Sequence, residues 1–468
     1  MADYDLIVIG AGSGGLTAVQ FAADLGARVA LVEKHRVGGD CTWTGCVPSK
    51  ALLHIAKTVH QAKTAVSYGL HLAETQVDMR QVKAQIEQVI DEIYRHETPE
   101  QLQKAGIEVI MGSARFVDAH TLRVGERQIS GRFVIVATGA HPLIPAIPGL
   151  ATVPYVTYEQ IFATDRLPEH LVVLGAGPVG MEMAQAYRRL GADVTLIDRH
   201  VLPAADGEAR DVLKQVLQRE GVRVMMGPVT AVAHNHHEKI VVSVDEQQVV
   251  ADTLLVAAGR LPNVQGLDLE KAGVAFDAQG ISVNNKLQTS TPHIFAVGDC
   301  TGGFQFTHYA GWQGFQAARN ALLPGSANGV LETVPWTVFT DPEVAQVGLT
   351  EAAARLRFGD QVQVMRRPLS RVDRAVTDRA DLGLIKVVWR NGRILGATIV
   401  AERAGEMINE FAIAIRHNIR IQPFAETMHV YPSYGMGIQR MLAQQATESF
   451  LRSRAGKIAA RVSGFTPR

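Results

Sequence analysis

Two copies of one glycine pattern constrain this chain more than any other feature. Tyr4 to Glu33 reads as a strand, the turn Gly10-Ala11-Gly12-Ser13-Gly14-Gly15, an alanine-rich helix and a second strand, Arg28 to Val32, closed by Glu33. Leu171 to Asp198 repeats the order with Gly175-Ala176-Gly177-Pro178-Val179-Gly180, a helix, the strand Asp193 to Ile197 and Asp198. The acid stands at the same distance from the first glycine in both copies. The first glycine permits a tight turn, the second lets the backbone approach a pyrophosphate, and the third lets helix and strand pack closely. The helix N-terminus adds partial positive charge, and the acid accepts hydrogen bonds from a ribose. Two βαβ dinucleotide-binding units in an α/β fold are implied, one at Gly10, Gly12, Gly15 and Glu33, the other at Gly175, Gly177, Gly180 and Asp198.

At 468 residues the chain exceeds one hydrophobic core, and two to four domains should share its apolar residues. Its 46 basic and 46 acidic residues cancel, so no global field recruits nucleic acid or an anionic membrane, and small or neutral partners fit better. Three cysteines exclude a disulfide-stapled secreted scaffold and suit a reducing compartment. The apolar run Leu6 to Ile9 breaks into glycines without the flank or cleavage site of a signal peptide, so a cytoplasmic location is expected. No stretch approaches the roughly 20 apolar residues of a transmembrane segment, and no resident metal site is expected.

Between the units, Val82, Ile86, Val89, Ile90 and Ile93 recur at helical spacing and predict a long packing helix from about Asp78 to Lys104. Strand-to-glycine turns at Thr138-Gly139 and Gly259-Arg260 should return the chain to bound cofactors. Pro142 to Pro154 and Pro324 to Gly329 read as linkers. The expected domains are 1–148 and 276–333 for the first dinucleotide unit, 149–275 for the second, and 334–468 for a separate α+β domain.

The segment Gly38-Gly39-Asp40-Cys41-Thr42-Trp43-Thr44-Gly45-Cys46-Val47-Pro48-Ser49-Lys50 follows directly on the first unit. Cys46 precedes a helix predicted from Pro48 to about Ala65, whose positive end lowers a thiol pKa. Together with Ile294-Phe295-Ala296-Val297-Gly298-Asp299 and Phe339-Thr340-Asp341-Pro342-Glu343-Val344-Ala345, the fingerprints and the cysteine pair resemble the class I pyridine nucleotide-disulfide oxidoreductases, the family of lipoamide dehydrogenase, glutathione reductase and mercuric reductase. The resemblance spans nearly the whole chain. It implies FAD in the first unit, NAD(P)H in the second and a C-terminal domain that forms a homodimer. It implies further FAD contacts at Lys34, Gly39, Lys50, Thr138, Gly139, Arg260, Asp299 and Thr307, and nicotinamide contacts at Arg199 and Gly259. Lys50 and Glu182 would form an ion pair beside the flavin. Cys46 would be the flavin-facing thiolate and Cys41 the sulfur that exchanges with substrate. Cys300 reads as a small core residue.

The sequence departs from that pattern where disulfide reductases carry His-Pro and a following Glu. Here Tyr431 takes the histidine position and Met436 the glutamate position, in Met428-His429-Val430-Tyr431-Pro432-Ser433-Tyr434-Gly435-Met436. A phenol of ordinary pKa near ~10 is a poor base at neutral pH, whereas an imidazole near ~6.5 is well matched. His429 lies two residues earlier and would face the same side of an extended segment; a replacement acid and a structural histidine are both open. Tyr431 resembles the mercuric-reductase branch, yet no cysteine follows Cys300, and that branch's N-terminal metal-binding domain is not expected here. Trp43 replaces the asparagine usual between the cysteines. Asp198 favours NADH because it repels a 2′-phosphate, while Arg199 and His200 pull the other way. The basic tail, Arg452, Arg454, Lys457, Arg461 and Arg468 against Glu448, reads as a solvated terminal helix, a membrane-surface contact or a site for an acidic partner. The expected function is an FAD-dependent NAD(P)H dithiol/disulfide oxidoreductase that passes electrons through FAD to the Cys41–Cys46 disulfide and on to an unidentified small-molecule or protein electron acceptor, without the usual His-Glu dyad. A metal-ion or quinone reductase and a redox-sensing flavoprotein acting through a partner stand as alternatives.

Overall fold

The computed structural model describes residues 2–72, 76–235 and 239–465. Arg468 of the basic tail lies outside the described residues. The chain divides into two compact units: residues 1–199 with 225–331, and residues 200–224 with 332–468.

In the first unit the strands Ile107–Met111, Val29–Glu33, Tyr4–Ile9 and Arg127–Val136 lie in that order, all parallel. The two central strands, Val29–Glu33 and Tyr4–Ile9, are buried on both faces, which is why Leu6, Ile7, Val8 and Leu31 stand in apolar runs instead of alternating ones. Ile294–Ala296 joins the far side of Arg127–Val136, with Phe295 opposite Ile135, so this later segment returns to the first sheet. A second parallel set aligns Asp193–Asp198, His170–Leu174 and Thr253–Val256. The two glycine turns therefore open onto equivalent edges, leading into helices Ser13–Asp24 and Pro178–Leu190.

The predicted helix from Asp78 to Lys104 is two helices, Met79–Tyr94 and Pro99–Lys104. Pro99 has no N–H to continue a helix but suits a first turn, and Thr98 caps the new start by accepting from the Gln101 amide at 3.3 Å. The helix after the cysteines starts earlier than its proline suggests, running Cys46–Thr64.

The second unit is α+β. Its five-stranded antiparallel sheet has the order Trp336–Val338, Glu343–Gly348, Arg393–Ala401, Leu384–Arg390, Gln363–Pro368. Ile385, Ala397 and Ile399 pack with Phe411 from helix Ala404–Arg416 and Ile438 from helix Gly435–Arg452.

Candidate active site

The two fingerprint turns are built alike. A Cβ on Gly15 would meet the Gly10 oxygen at 1.9 Å, and one on Gly180 the Gly175 oxygen at 1.8 Å, so helix and strand touch at backbone distance. Gly10 and Gly175 adopt φ of +103° and +110°, which only glycine holds without strain. The Glu33 carboxylate accepts from the amides of Ala11 at 2.8 Å and His35 at 2.7 Å. Asp198 accepts from Ala176 and Arg199, both at 2.6 Å. Each acid thus clamps the turn that precedes it, and each carboxylate keeps lone pairs to accept further bonds. Lys34 and Arg199 are exposed at the strand ends.

The cysteines lie where three helices begin. Cys46 is the first residue of its helix, Thr307 the first of Thr307–Leu322, and Ser13 the first of the fingerprint helix. The Cys46 sulfur is 3.2 Å from the Thr307 hydroxyl. Both cysteines are free thiols, Cys41 half-buried and Cys46 exposed. A hydrogen bond from Cys41 lowers the Cys46 pKa to about 6; desolvation by the protein packed around it opposes this, and Thr307 and the Lys50 charge assist. Cys41 moves in the opposite direction, first through that same bond and then through burial, so the proton between the two sulfurs resides on Cys41. Lys50 Nζ stands 2.9 Å from Glu182 Oε2, with the carboxylate buried.

Arg260 ties the cysteine loop to the later segment. It donates to Asp40, the neighbour of Cys41, at 2.7 Å, lies 3.3 Å from Asp299, and covers the Tyr158 ring at 4.9 Å. Burial raises the Asp299 pKa, opposed by the Arg260 charge. Thr138 is held by Asn263, its hydroxyl donating to the Asn263 carbonyl at 2.7 Å, and the Asn263 amide donates to the Gly139 carbonyl at 2.9 Å. Gly259 sits in the matching turn of the second set at φ +129°. Asp40 and Tyr158 escaped sequence reasoning, since nothing local marks an aspartate before a cysteine or a tyrosine beyond a linker.

These residues fit FAD. A Cβ on Gly39 would come 2.7 Å from the Gly12 Cα, so loop and turn form a cradle closed to any side chain. Arg260 Nε is a buried donor that has no hydrogen-bond partner among the described residues, as expected of a group that serves a ligand.

In the second unit, Tyr431 is exposed with the Arg440 guanidinium 5.6 Å from its ring centre. His429 is engaged at both ring nitrogens: Nδ1 is 3.0 Å from the Thr427 carbonyl and Nε2 is 2.9 Å from Glu410 Oε2. Glu410 had no signal in the sequence because it lies on the separate helix Ala404–Arg416. Trp43 is anchored by its indole N–H to the Val37 carbonyl at 2.8 Å and packs on Tyr94 at 4.8 Å. Cys300 is fully buried, and desolvation pushes its thiol up to about 11. Among the described residues no cluster of three or more His, Cys, Asp or Glu could hold a metal.

With this geometry in hand, the chain matches the pyridine nucleotide-disulphide oxidoreductase model over residues 4–314 and that family's dimerisation domain over residues 334–442. It belongs to the pyridine nucleotide-disulfide oxidoreductases, FAD-dependent enzymes that use NAD(P)H. It is 36% identical to a dihydrolipoyl dehydrogenase of Thermus scotoductus, covering 94% of this chain and 96% of that one. It is 34% identical to a mercuric reductase of Bacillus cereus, covering 93% of this chain and 70% of that protein. It is also 34% identical to a glutathione reductase of a Nostoc species, over 92% and 97% of the two chains. The solved Cu(II) complex of the HOCl-induced flavoprotein disulfide reductase RclA from Escherichia coli superposes with a TM-score of 0.84 at 28% identity, over 94% of this chain and 99% of that one. Among the described residues no helix is long and apolar enough to cross a membrane.

Proposed function

We propose that this flavoprotein disulfide reductase passes electrons from NADH, rather than NADPH, to the Cys41–Cys46 pair and from there to an acceptor that needs no dedicated proton donor. Bound FAD supplies the two-electron chemistry between nicotinamide and thiols. Gly10, Gly12, Gly15, Gly39 and Arg260 hold it, and Lys50, kept in place by Glu182, lies beside Cys46. The observation that carries the reading is the unequal thiol pair: Cys46 is the stabilised thiolate and Cys41 the sulfur that keeps its proton. With a disulfide acceptor, the Cys41 thiolate forms a mixed disulfide as the first leaving thiolate departs. Cys46 then attacks Cys41, closing the Cys41–Cys46 disulfide and releasing the second thiolate. Both departing thiolates take up protons, and Cys41 must give up its own before it attacks.

That demand favours acceptors which bind both thiolates directly, and a thiophilic metal ion is the second reading. The Cu(II) complex of the RclA enzyme and the mercuric reductases among the relatives support it. In the proposed homodimer the matched C-terminal domain supplies the subunit contact, and the enzyme works in the cytoplasm. Anaerobic titration of the holoprotein with NADH and NADPH, followed by presentation of lipoamide, glutathione disulfide, Cu(II) and Hg(II), tests the proposal. Two-electron reduction by NADH, with faster reoxidation by a metal ion than by either disulfide, is expected. Failure of nicotinamide to reduce the protein would overturn it.

A further inference from the structure

We propose that the C-terminal helix Arg454–Val462 docks this enzyme on an anionic membrane surface. The helix lies beyond residue 442, where the match to the family's dimerisation domain ends. Its position is fixed: Ser453 caps it by accepting from the Gly456 amide at 3.0 Å, and a Cβ on Gly456 would stand 2.0 Å from the Phe450 oxygen. The helix is therefore pinned against the end of Gly435–Arg452 along the side that carries Gly456.

The opposite surface is divided into two adjoining faces. Ile458 and Val462, one turn apart, are 63% and 83% exposed, and Phe465 just beyond them is 71% exposed. Arg454, Lys457 and Arg461 occupy the neighbouring face, all exposed. Glu448, 3.9 Å from Arg452, is the one acid from Thr447 to Phe465, so these three cations are uncompensated by any acid of the tail. Apolar side chains beside a cationic stripe match the boundary between acyl chains and anionic headgroups, where both faces are satisfied at once. A second copy of the chain is a poorer cover for this face. A two-fold contact through Ile458 and Val462 would bring Arg454, Lys457 and Arg461 toward their own copies, and like charges brought together oppose association.

The test is flotation of the full-length holoprotein with vesicles of phosphatidylcholine alone and of an equal mixture with phosphatidylglycerol. Binding to the anionic vesicles, weakened by salt and missing from the neutral ones, is expected. Replacing Arg454, Lys457 and Arg461 together with Gln should weaken it about a hundredfold. Ile458→Asp with Val462→Asp should remove it. Both variants should keep the oligomeric state and the rate of flavin reduction by NADH, neither of which the proposal links to this helix. Three results would overturn the proposal: no binding of the unaltered protein to anionic vesicles, binding indifferent to either variant, or a change of oligomeric state in the aspartate variant. The last would assign the apolar face to a second copy. Retention of the protein on immobilised polyglutamate but not on vesicles would assign the cations to an acidic protein instead.

Discussion

The sulfur of Cys46 lies 3.2 Å from the hydroxyl of Thr307, and each residue opens a helix. Two helix N-termini therefore converge on one sulfur, and a negative charge there is stabilised by both. The neighbouring Cys41 contributes most to the lowered pKa of about 6, with Thr307 and Lys50 adding to it against the cost of desolvation.

The first prediction concerns that thiolate. In the two-electron-reduced enzyme, long-wavelength absorbance from the Cys46 thiolate should be full well above pH 6, half-maximal at about pH 6, and fade as pH falls further. Thr307→Val removes one donor and should shift the midpoint upward. Cys46→Ser should abolish the band, while Cys41→Ser should show it without reductant. A spectrophotometric pH titration decides the matter, and identical behaviour of the two serine variants would reverse the assignment of the sulfurs.

Nicotinamide choice rests on Asp198. Two backbone amides at 2.6 Å fix its carboxylate at the end of the strand, so a 2′-phosphate would face a charge that cannot swing away. Stopped-flow reduction should be faster with NADH than with NADPH. Asp198→Ala should narrow or invert the ratio, because a repulsive element is lost. Unaltered preference for NADPH in the starting protein would contradict this.

The proton donor for disulfide substrates gives a third prediction. Both ring nitrogens of His429 face acceptor atoms, the Thr427 carbonyl and the Glu410 carboxylate, so its hydrogen-bonding capacity is taken up within its own unit. Tyr431 offers a phenol where the family places an imidazole. General acid catalysis typically contributes about 10²- to 10⁴-fold, so turnover of glutathione disulfide and lipoamide should be low. Tyr431→His with Met436→Glu should raise it by at least about tenfold at the low end of that effect. Should the unaltered enzyme reduce either disulfide fast and His429→Gln remove that activity, His429 would be the acid after all.

The dinucleotide turns were legible in the sequence because their constraints are local: a Cβ at Gly15 or Gly180 collides with backbone five residues away. The same holds for Cys46 at a helix start. Contacts that join distant segments were hidden. The Asp40–Arg260 and His429–Glu410 pairs depend on how strands and helices meet in space, and no spacing rule links the partners. The break at Pro99 was readable from Thr98-Pro99, but apolar periodicity on both sides masked it. The charge cluster at Lys386 was equally invisible, since Lys386 sits within an apolar strand.

That cluster carries the last prediction. Lys386, in strand Leu384–Arg390, is 4% exposed and binds Asp206 at 2.9 Å, Glu208 at 2.7 Å and Glu351 at 2.8 Å. Arg366 joins Glu208 at 2.8 Å and also contacts Glu351. Burial would raise the Glu351 pKa, but the bonds from Lys386 and Arg355 and the Lys386 and Arg366 charges bring it down to about 2. A depressed carboxylate contributes stability that is complete above its unfolded value near ~4.3 and is lost as pH falls through the folded one. Acid should therefore weaken this unit progressively from about pH 5 toward pH 2. Lys386→Met leaves three carboxylates around one buried methionine, with Arg366 bridging Glu208 and Glu351 and Arg355 still paired with Glu351. Removing one member of a buried ionic network costs about 3–5 kcal/mol, and urea unfolding at neutral pH should show a loss of that order. In the variant the loss on acidification should shrink, because Glu351 no longer has the lysine to hold its proton off. A neutral unfolding midpoint equal to that of the unaltered protein would show that the cluster contributes no net stability.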